Sequence, residues 1–139
     1  MKYLSLDYGD SKTGIAISDA LGIIARPFAT VRTETAVEHI TDIVAEEGVS
    51  CIVVGLAVNS DGELSASADK AKAFAEKLKK FLDRSIEFRF VNEAFSTKSA
   101  QQIMLQNYNK KQRRKKGLDD AIAAAVILQQ FLDSQAGVL

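Results

Sequence analysis

Four acidic side chains stand where apolar runs of the chain give way to turns or begin a helix. Asp7 closes Tyr3-Leu4-Ser5-Leu6, Glu93 follows Val91-Asn92, and Asp119-Asp120 open the last apolar stretch. A carboxylate that ends an apolar strand must reach solvent or meet a cation. Singly, each has an ordinary reading: Asp7 as a turn-initiating residue ahead of Gly9, the others as acids favoured by the start of a helix. Brought to one place they repel, and a divalent cation is the simplest way to neutralise them. Oxygen donors with no His or Cys close by favour magnesium or manganese over zinc. Two such ions, roughly 3.5 to 4 Å apart, could stabilise both the attacking water and the leaving oxygen at a phosphodiester. The candidate catalytic and metal-holding acids are therefore Asp7, Glu93 and an aspartate of the Asp119-Asp120 pair. Helical periodicity does not choose within the pair, because Ala123 and Ile127 stand four and eight positions beyond Asp119 and Ala124 and Leu128 stand likewise beyond Asp120.

A basic run, Lys110-Lys111-Gln112-Arg113-Arg114-Lys115-Lys116, ends two residues before Leu118, with Tyr108 just ahead of it as a ring that could stack on a base. Such a run is ordinarily a solvated face. Beside a carboxylate cluster it gains a use, since contacts to phosphate supply sequence-independent affinity for nucleic acid. The whole-molecule field does not help: 18 basic residues balance 18 acidic ones, so any electrostatic case rests on local clustering. Cys51, in the apolar run Ser50 to Gly55, reads as a small buried hydrophobe, and His39 as a surface residue of its helix.

These groups need elements to carry them. Residues 3–8 and 14–19 are short apolar strands joined by the turn-rich Gly9-Asp10-Ser11-Lys12-Thr13, and a third strand through Ile23, Ile24 and Ala25 is expected to close at Pro27. From Glu34 the period becomes helical through Val37, Ile40, Ile43 and Val44, with Gly48 suited to the C-terminal cap. A buried strand over 50–55 follows. After Asn59-Ser60-Asp61-Gly62 comes a helix through Ala71, Phe74, Ala75, Leu78, Phe81 and Leu82, then a strand over 86–91 with one exposed face. Further helices are expected from Ser96 or Thr97, carrying Ala100, Ile103 and Met104 inward, and from Leu118 to Asp133, the latter apolar on most sides. An antiparallel meander followed by alternating helices and strands predicts an α/β fold, a mixed five-stranded sheet with helices on both faces. Sites in such sheets gather at the carboxyl ends of strands, where Asp7 and Glu93 fall.

With 139 residues, 47% apolar and 26% charged, and one proline, the chain has the composition of one compact domain spanning 1–139, not of a disordered or fibrous protein. The N-terminus reaches Asp7 before any signal-like apolar region develops, and no stretch is long enough to span a bilayer, so a cytoplasmic location is expected.

At this point the chain resembles the YqgF/RuvX family of ribonuclease H-like proteins, over about residues 3 to 133. The likeness lies in an ordered set of motifs: Leu6-Asp7-Tyr8-Gly9 with Gly14-Ile15-Ala16-Ile17-Ser18-Asp19, Ala25-Arg26-Pro27 with Thr30, and Val53-Val54-Gly55-Leu56 with Asn59 and Asp61-Gly62. It continues through Phe74-Ala75 and Leu78, Glu93 before Ser96-Thr97, and Asp120 before Ala123-Ala124 and Ile127-Leu128. The resemblance implies a ribonuclease H-like sheet and a nuclease that resolves Holliday junctions or matures the small-subunit rRNA precursor. It implies Asp7, Glu93 and Asp120 as the acids that hold magnesium or manganese, with Asp119 the competing ligand, and Lys12 joining the basic run as a phosphate contact. Structured RNA or branched DNA is the implied partner, with no membrane; paired cuts at a junction would suit a homodimer. Two positions depart from the family pattern: an expected Lys-Arg pair reads Ser11-Lys12, and an expected Asp-Glu-Arg reads Asn92-Glu93-Ala94. Two rival functions stand beside the nuclease. One is a nucleic-acid binder that does not cut. The other is an actin-like phosphate loop at Asp7 to Gly14, although such ATPases close two lobes on their nucleotide.

Overall fold

The structure, a computed structural model, describes residues 1–92 and 118–136. Its elements are β1 (Tyr3–Asp7), β2 (Lys12–Ser18), β3 (Ala25–Arg32), a 3-10 turn (Thr33–Thr35), α1 (Ala36–Glu47), β4 (Cys51–Leu56), α2 (Ala66–Lys79), β5 (Glu87–Asn92) and α3 (Leu118–Gln135). The strands form one five-stranded sheet in the order β3-β2-β1-β4-β5. β1, β2 and β3 pair antiparallel, whereas β1 with β4 and β4 with β5 pair parallel. The mixed sheet expected from the meander is the one formed, with β1 at its centre.

Strand alternation divides the molecule into two cores. Leu4 and Leu6 of β1, Ile15 and Ile17 of β2, and Ile52 and Val54 of β4 pack against Ile40 of α1 and Phe74, Ala75 and Leu78 of α2. On the other face Ala16, Cys51 and Val53 pack against Ala124, Ala125, Ile127, Leu128 and Leu132 of α3. Each helix has a sequence reason to end or begin where it does. Gly48 caps α1 at φ 68°, a left-handed conformation that costs glycine least, and the Ser65 side chain accepts from the Ala68 N–H at the start of α2.

Three expectations need correcting. Pro27 does not close the third strand; β3 begins at Ala25 and runs on to Arg32. Pro27 is tolerated because β3 is an edge strand and the β2–β3 register slips between Ile15 and Ala16, which pair with Ala29 and Pro27. Ile23 and Ile24, expected within that strand, are exposed in the turn before it, where the Asp19 carboxylate accepts both backbone N–H groups at 2.7 and 2.9 Å. Phe81 lies beyond the end of α2 and is exposed. The helix expected from Ser96 or Thr97 lies outside the described residues. Among those residues no helix is long and apolar enough to cross a membrane.

Candidate metal and nucleic-acid site

β1, β4 and β5 run in parallel, so Asp7, Leu56 and Asn92 end their strands at the same edge of the sheet. Asp7 is half-buried there, directly opposite Gly14 of β2. Opposed residues of an antiparallel pair share a face, and two observations identify it. A Cβ built on Gly14 would collide with the carbonyl group of Asp120 and lie 2.9 Å from the Ala121 nitrogen, so the first turn of α3 rests on the backbone of Gly14. Ser5, two residues before Asp7 and fully buried, donates its hydroxyl to the Ala124 carbonyl at 2.7 Å. Ser5 and Asp7 therefore face α3, and one turn of that helix spans from the Ser5 contact to Asp120 above the Asp7–Gly14 pair.

Asp119 and Asp120 are both exposed at the start of α3. Burial further along separates their helical stripes. Ala124 and Leu128, beyond Asp120, are 0% exposed; beyond Asp119, Ile127 is also buried, but Ala123 is partly exposed and is the least buried residue from Ala121 to Leu128. Glu93 follows Asn92 directly and lies outside the described residues, as does the basic run Lys110, Lys111, Arg113, Arg114, Lys115 and Lys116. Among the described residues no three His, Cys, Asp or Glu side chains group into a metal cage. Among the described residues, the acids near this edge include Asp7, Asp119 and Asp120, and neither the one His nor the one Cys lies beside them. Cys51 lies at the far end of the sheet, paired in register with Tyr3, and burial pushes its thiol up to about 11, while His39 is exposed on α1, across the sheet from α3. That donor set suits a hard cation such as magnesium and does not suit zinc.

Lys12 opens β2 two residues before Gly14, so it is exposed on the same face as Asp7. Its partner in register is Arg32, the last residue of β3, which sequence reading passed over. Arg32 sits 2.7 Å from Glu34, a pairing between two well-exposed groups that leaves its charge open to other anions. Thr30 pairs with Gly14 and so shares the rung of Asp7. The loop between β1 and β2 is held to the β3–α1 junction by Thr33, whose hydroxyl donates to the Gly9 carbonyl at 2.6 Å and lies 2.8 Å from that of Thr13. Lys12 thus projects from an anchored frame. Arg32 and Ser5 were missed because their places depend on cross-strand register and on which face receives α3; alternation from Asp7 back to Ser5 was the only signal available.

The chain matches the RuvX family, described as Holliday junction resolvase, over residues 1–134. A Fusobacterium nucleatum protein named "Putative pre-16S rRNA nuclease" is 37% identical over 134 residues, covering 95% of this chain and 96% of its own. A Bacteroides fragilis protein of the same name is 37% identical over 136 residues, covering 96% and 97%. Among solved structures, RuvC of T. thermophilus in complex with a Holliday junction substrate superposes with a TM-score of 0.63 at 12% identity, covering 99% of this chain and 96% of that one, a likeness of fold. The sheet order, the length matched and the identity to these relatives together show that the chain belongs to the RuvX/YqgF family and has its RuvC-like, ribonuclease H-like fold.

Proposed function

We propose that this protein is a divalent-metal-dependent endonuclease that hydrolyses phosphodiester bonds in structured nucleic acid, with the rRNA precursor favoured over the four-way DNA junction by the names its relatives carry. One observation carries the reading: the end of the central strand and the first turn of α3 meet at Gly14, which draws Asp7 and Asp120 to one edge of the sheet. Asp7, Asp120 and Glu93 would hold the ion, with Asp119 beside them in an outer position because Ala123, one turn beyond it, is less buried than Ala124, one turn beyond Asp120. Bound there, magnesium or manganese supplies neutralisation of the carboxylates and an activated water. Lys12 and Arg32 hold backbone phosphates at the rim, and the Lys110 to Lys116 run extends those contacts without reading bases. Asp7 orients the reacting group from a backbone paired with β2 at Gly14, one residue beyond the last β1–β4 pair at Leu6.

The test is cleavage of an end-labelled fragment spanning a 16S precursor terminus and of a labelled four-way junction, using one preparation with magnesium, manganese, calcium or excess chelator. Cutting of at least one substrate with magnesium or manganese, weak cutting with calcium and none in chelator is expected, with Asp7→Asn inactive yet folded. Undiminished cutting in chelator would overturn the metal assignment. Binding without cutting would favour a recognition protein, the reading to which Ser11 and the Asn92-Glu93-Ala94 sequence lend weight by reducing cations near the acids.

A further inference from the structure

We infer that Ser5 and Gly14 form a two-point clamp that registers α3 on the central strand and so sets the spacing of Asp7 and Asp120; both are positioning residues for the metal site, an inference that rests on the function proposed above. Neither side chain can be a ligand in its own right, since Gly14 has none and the Ser5 hydroxyl is fully buried and spent on Ala124. Their places are unusual for what they are. A serine flanked by Leu4 and Leu6 in the central strand would be replaced by an apolar residue if packing were its only task, because burying a hydroxyl is favourable only with a partner. The partner here is a helix carbonyl that already belongs to the backbone ladder of α3, so the bond adds a fixed point and does not rescue an orphaned group.

Gly14 supplies the second point by subtraction. β2 continues Ile15, Ala16, Ile17, and any Cβ at 14 would meet the main chain of Asp120 and Ala121, which no rotamer change can move aside. The helix can approach closely at its first turn only because the strand beneath is bare there. Gly14 faces Asp7, and Ser5 stands two residues before Asp7, so the clamp straddles the acid on one side chain and one missing side chain. Asp120 belongs to the turn seated on Gly14, and Ala124, the Ser5 partner, is one turn on. Movement of α3 outward or along its axis would therefore change the Asp7 to Asp120 distance. Site geometries of this kind need to be held to about half an ångström.

The experiment measures manganese binding through the spectroscopic signal of free Mn2+, without substrate, for wild type, Asp7→Asn, Ser5→Ala, Gly14→Ala and the packing control Leu132→Ala, with thermal unfolding of each. Gly14→Ala is expected to weaken manganese binding at least tenfold and Ser5→Ala about threefold to tenfold, while Leu132→Ala lowers the unfolding temperature yet leaves affinity within twofold. In the Gly14→Ala background, Asp120→Glu should restore part of the affinity, because the longer side chain reaches back across the widened gap; in the wild-type background the same change should weaken it. Should Gly14→Ala fail to fold, Ser5→Ala and its rescue by Asp120→Glu decide the matter. Unchanged affinity in folded Gly14→Ala or Ser5→Ala would overturn the clamp, as would a loss in Leu132→Ala equal to theirs. If wild type and Asp7→Asn bind manganese alike, the metal site itself falls and the clamp with it.

Discussion

Asp119 and Asp120 offer a decisive substitution because they are neighbours with the same charge, the same exposure and different helical stripes. Side-chain ends on a helix of about 10–12 Å diameter that project about 100° apart are separated by about 8 Å. If Asp120 ligates a divalent ion, one charge acts on two with centres about 3 Å apart; at an effective dielectric of about 20 that is about 11 kcal/mol of gross attraction. Desolvation offsets much of it, and a net loss of about 4 kcal/mol on Asp120→Asn corresponds to about a thousandfold in rate. For Asp119 the separation is about 8 Å through water, giving about 1 kcal/mol before screening and less at physiological salt. Asp119→Asn should therefore cost no more than about tenfold.

Single-turnover cleavage of the labelled substrate, measured across a manganese titration for both purified variants, separates these outcomes. Asp120→Asn should be inactive at every metal concentration reached, and Asp119→Asn should recover at higher manganese. The reverse ranking would refute the stripe reasoning, which takes the burial of Ala124 against the partial exposure of Ala123 as the guide to which acid turns toward the sheet. Equal and total loss in both would mean that the two acids act as one unit.

Three further outcomes follow from the structure. Replacing Lys12 and Arg32 together by Gln should weaken nucleic-acid binding similarly across sequences and flatten the slope of log K against log salt by roughly 0.7 to 0.9 per lost contact; an unchanged slope in a filter-binding titration would make them mere surface charges. The N–H groups of Ile24 and Ile23 hold the Asp19 carboxyl below its ordinary value, so its stabilising contribution is present above the unfolded carboxylate range near about 4 and is lost as pH falls through the lower folded value. The unfolding-temperature gap between wild type and Asp19→Ala should accordingly be full at pH 7 and close in strong acid, and a gap unchanged at pH 2 would contradict this. Cys51, fully buried with its thiol pushed up to about 11, should react with Ellman's reagent at pH 8 only on unfolding, and prompt reaction of the native protein would contradict its burial.

Most of the architecture was legible in the residues because its signals are local. Alternation in β1 and β2, the helical stripe of α1 with Gly48 after it, and the apolar length of β4 and α3 depend on neighbours within a few positions. Where the reading slipped, the deciding partner was distant. Pro27 reads as a terminator until β3 is known to be an edge strand with a register slip at that point, and Ile23 and Ile24 read as strand until the Asp19 carboxylate is seen holding the turn. Phe81 fits the α2 period by sequence, yet Lys80 already sits at the helix cap. The acid Asp7 stood out because it breaks an apolar run, whereas Arg32 has no local peculiarity and becomes a candidate only by standing opposite Lys12.

The central strand explains why site and stability can be changed separately in this fold. Its even positions, Leu4 and Leu6, enter the core with α1 and α2, and its odd positions, Ser5 and Asp7, turn to α3. A five-residue strand thus gives one face wholly to packing, while the other begins with Tyr3 in the α3 core and carries site geometry at Ser5 and Asp7. The likeness to RuvC at 12% identity fits this division, since apolar patterning of about the right volume suffices to keep a sheet and its helices in place. What patterning leaves open is how closely a helix approaches the strand beneath it. In this chain that distance is set by one hydroxyl and one absent Cβ, and a change at either should be felt by the acids at the sheet edge.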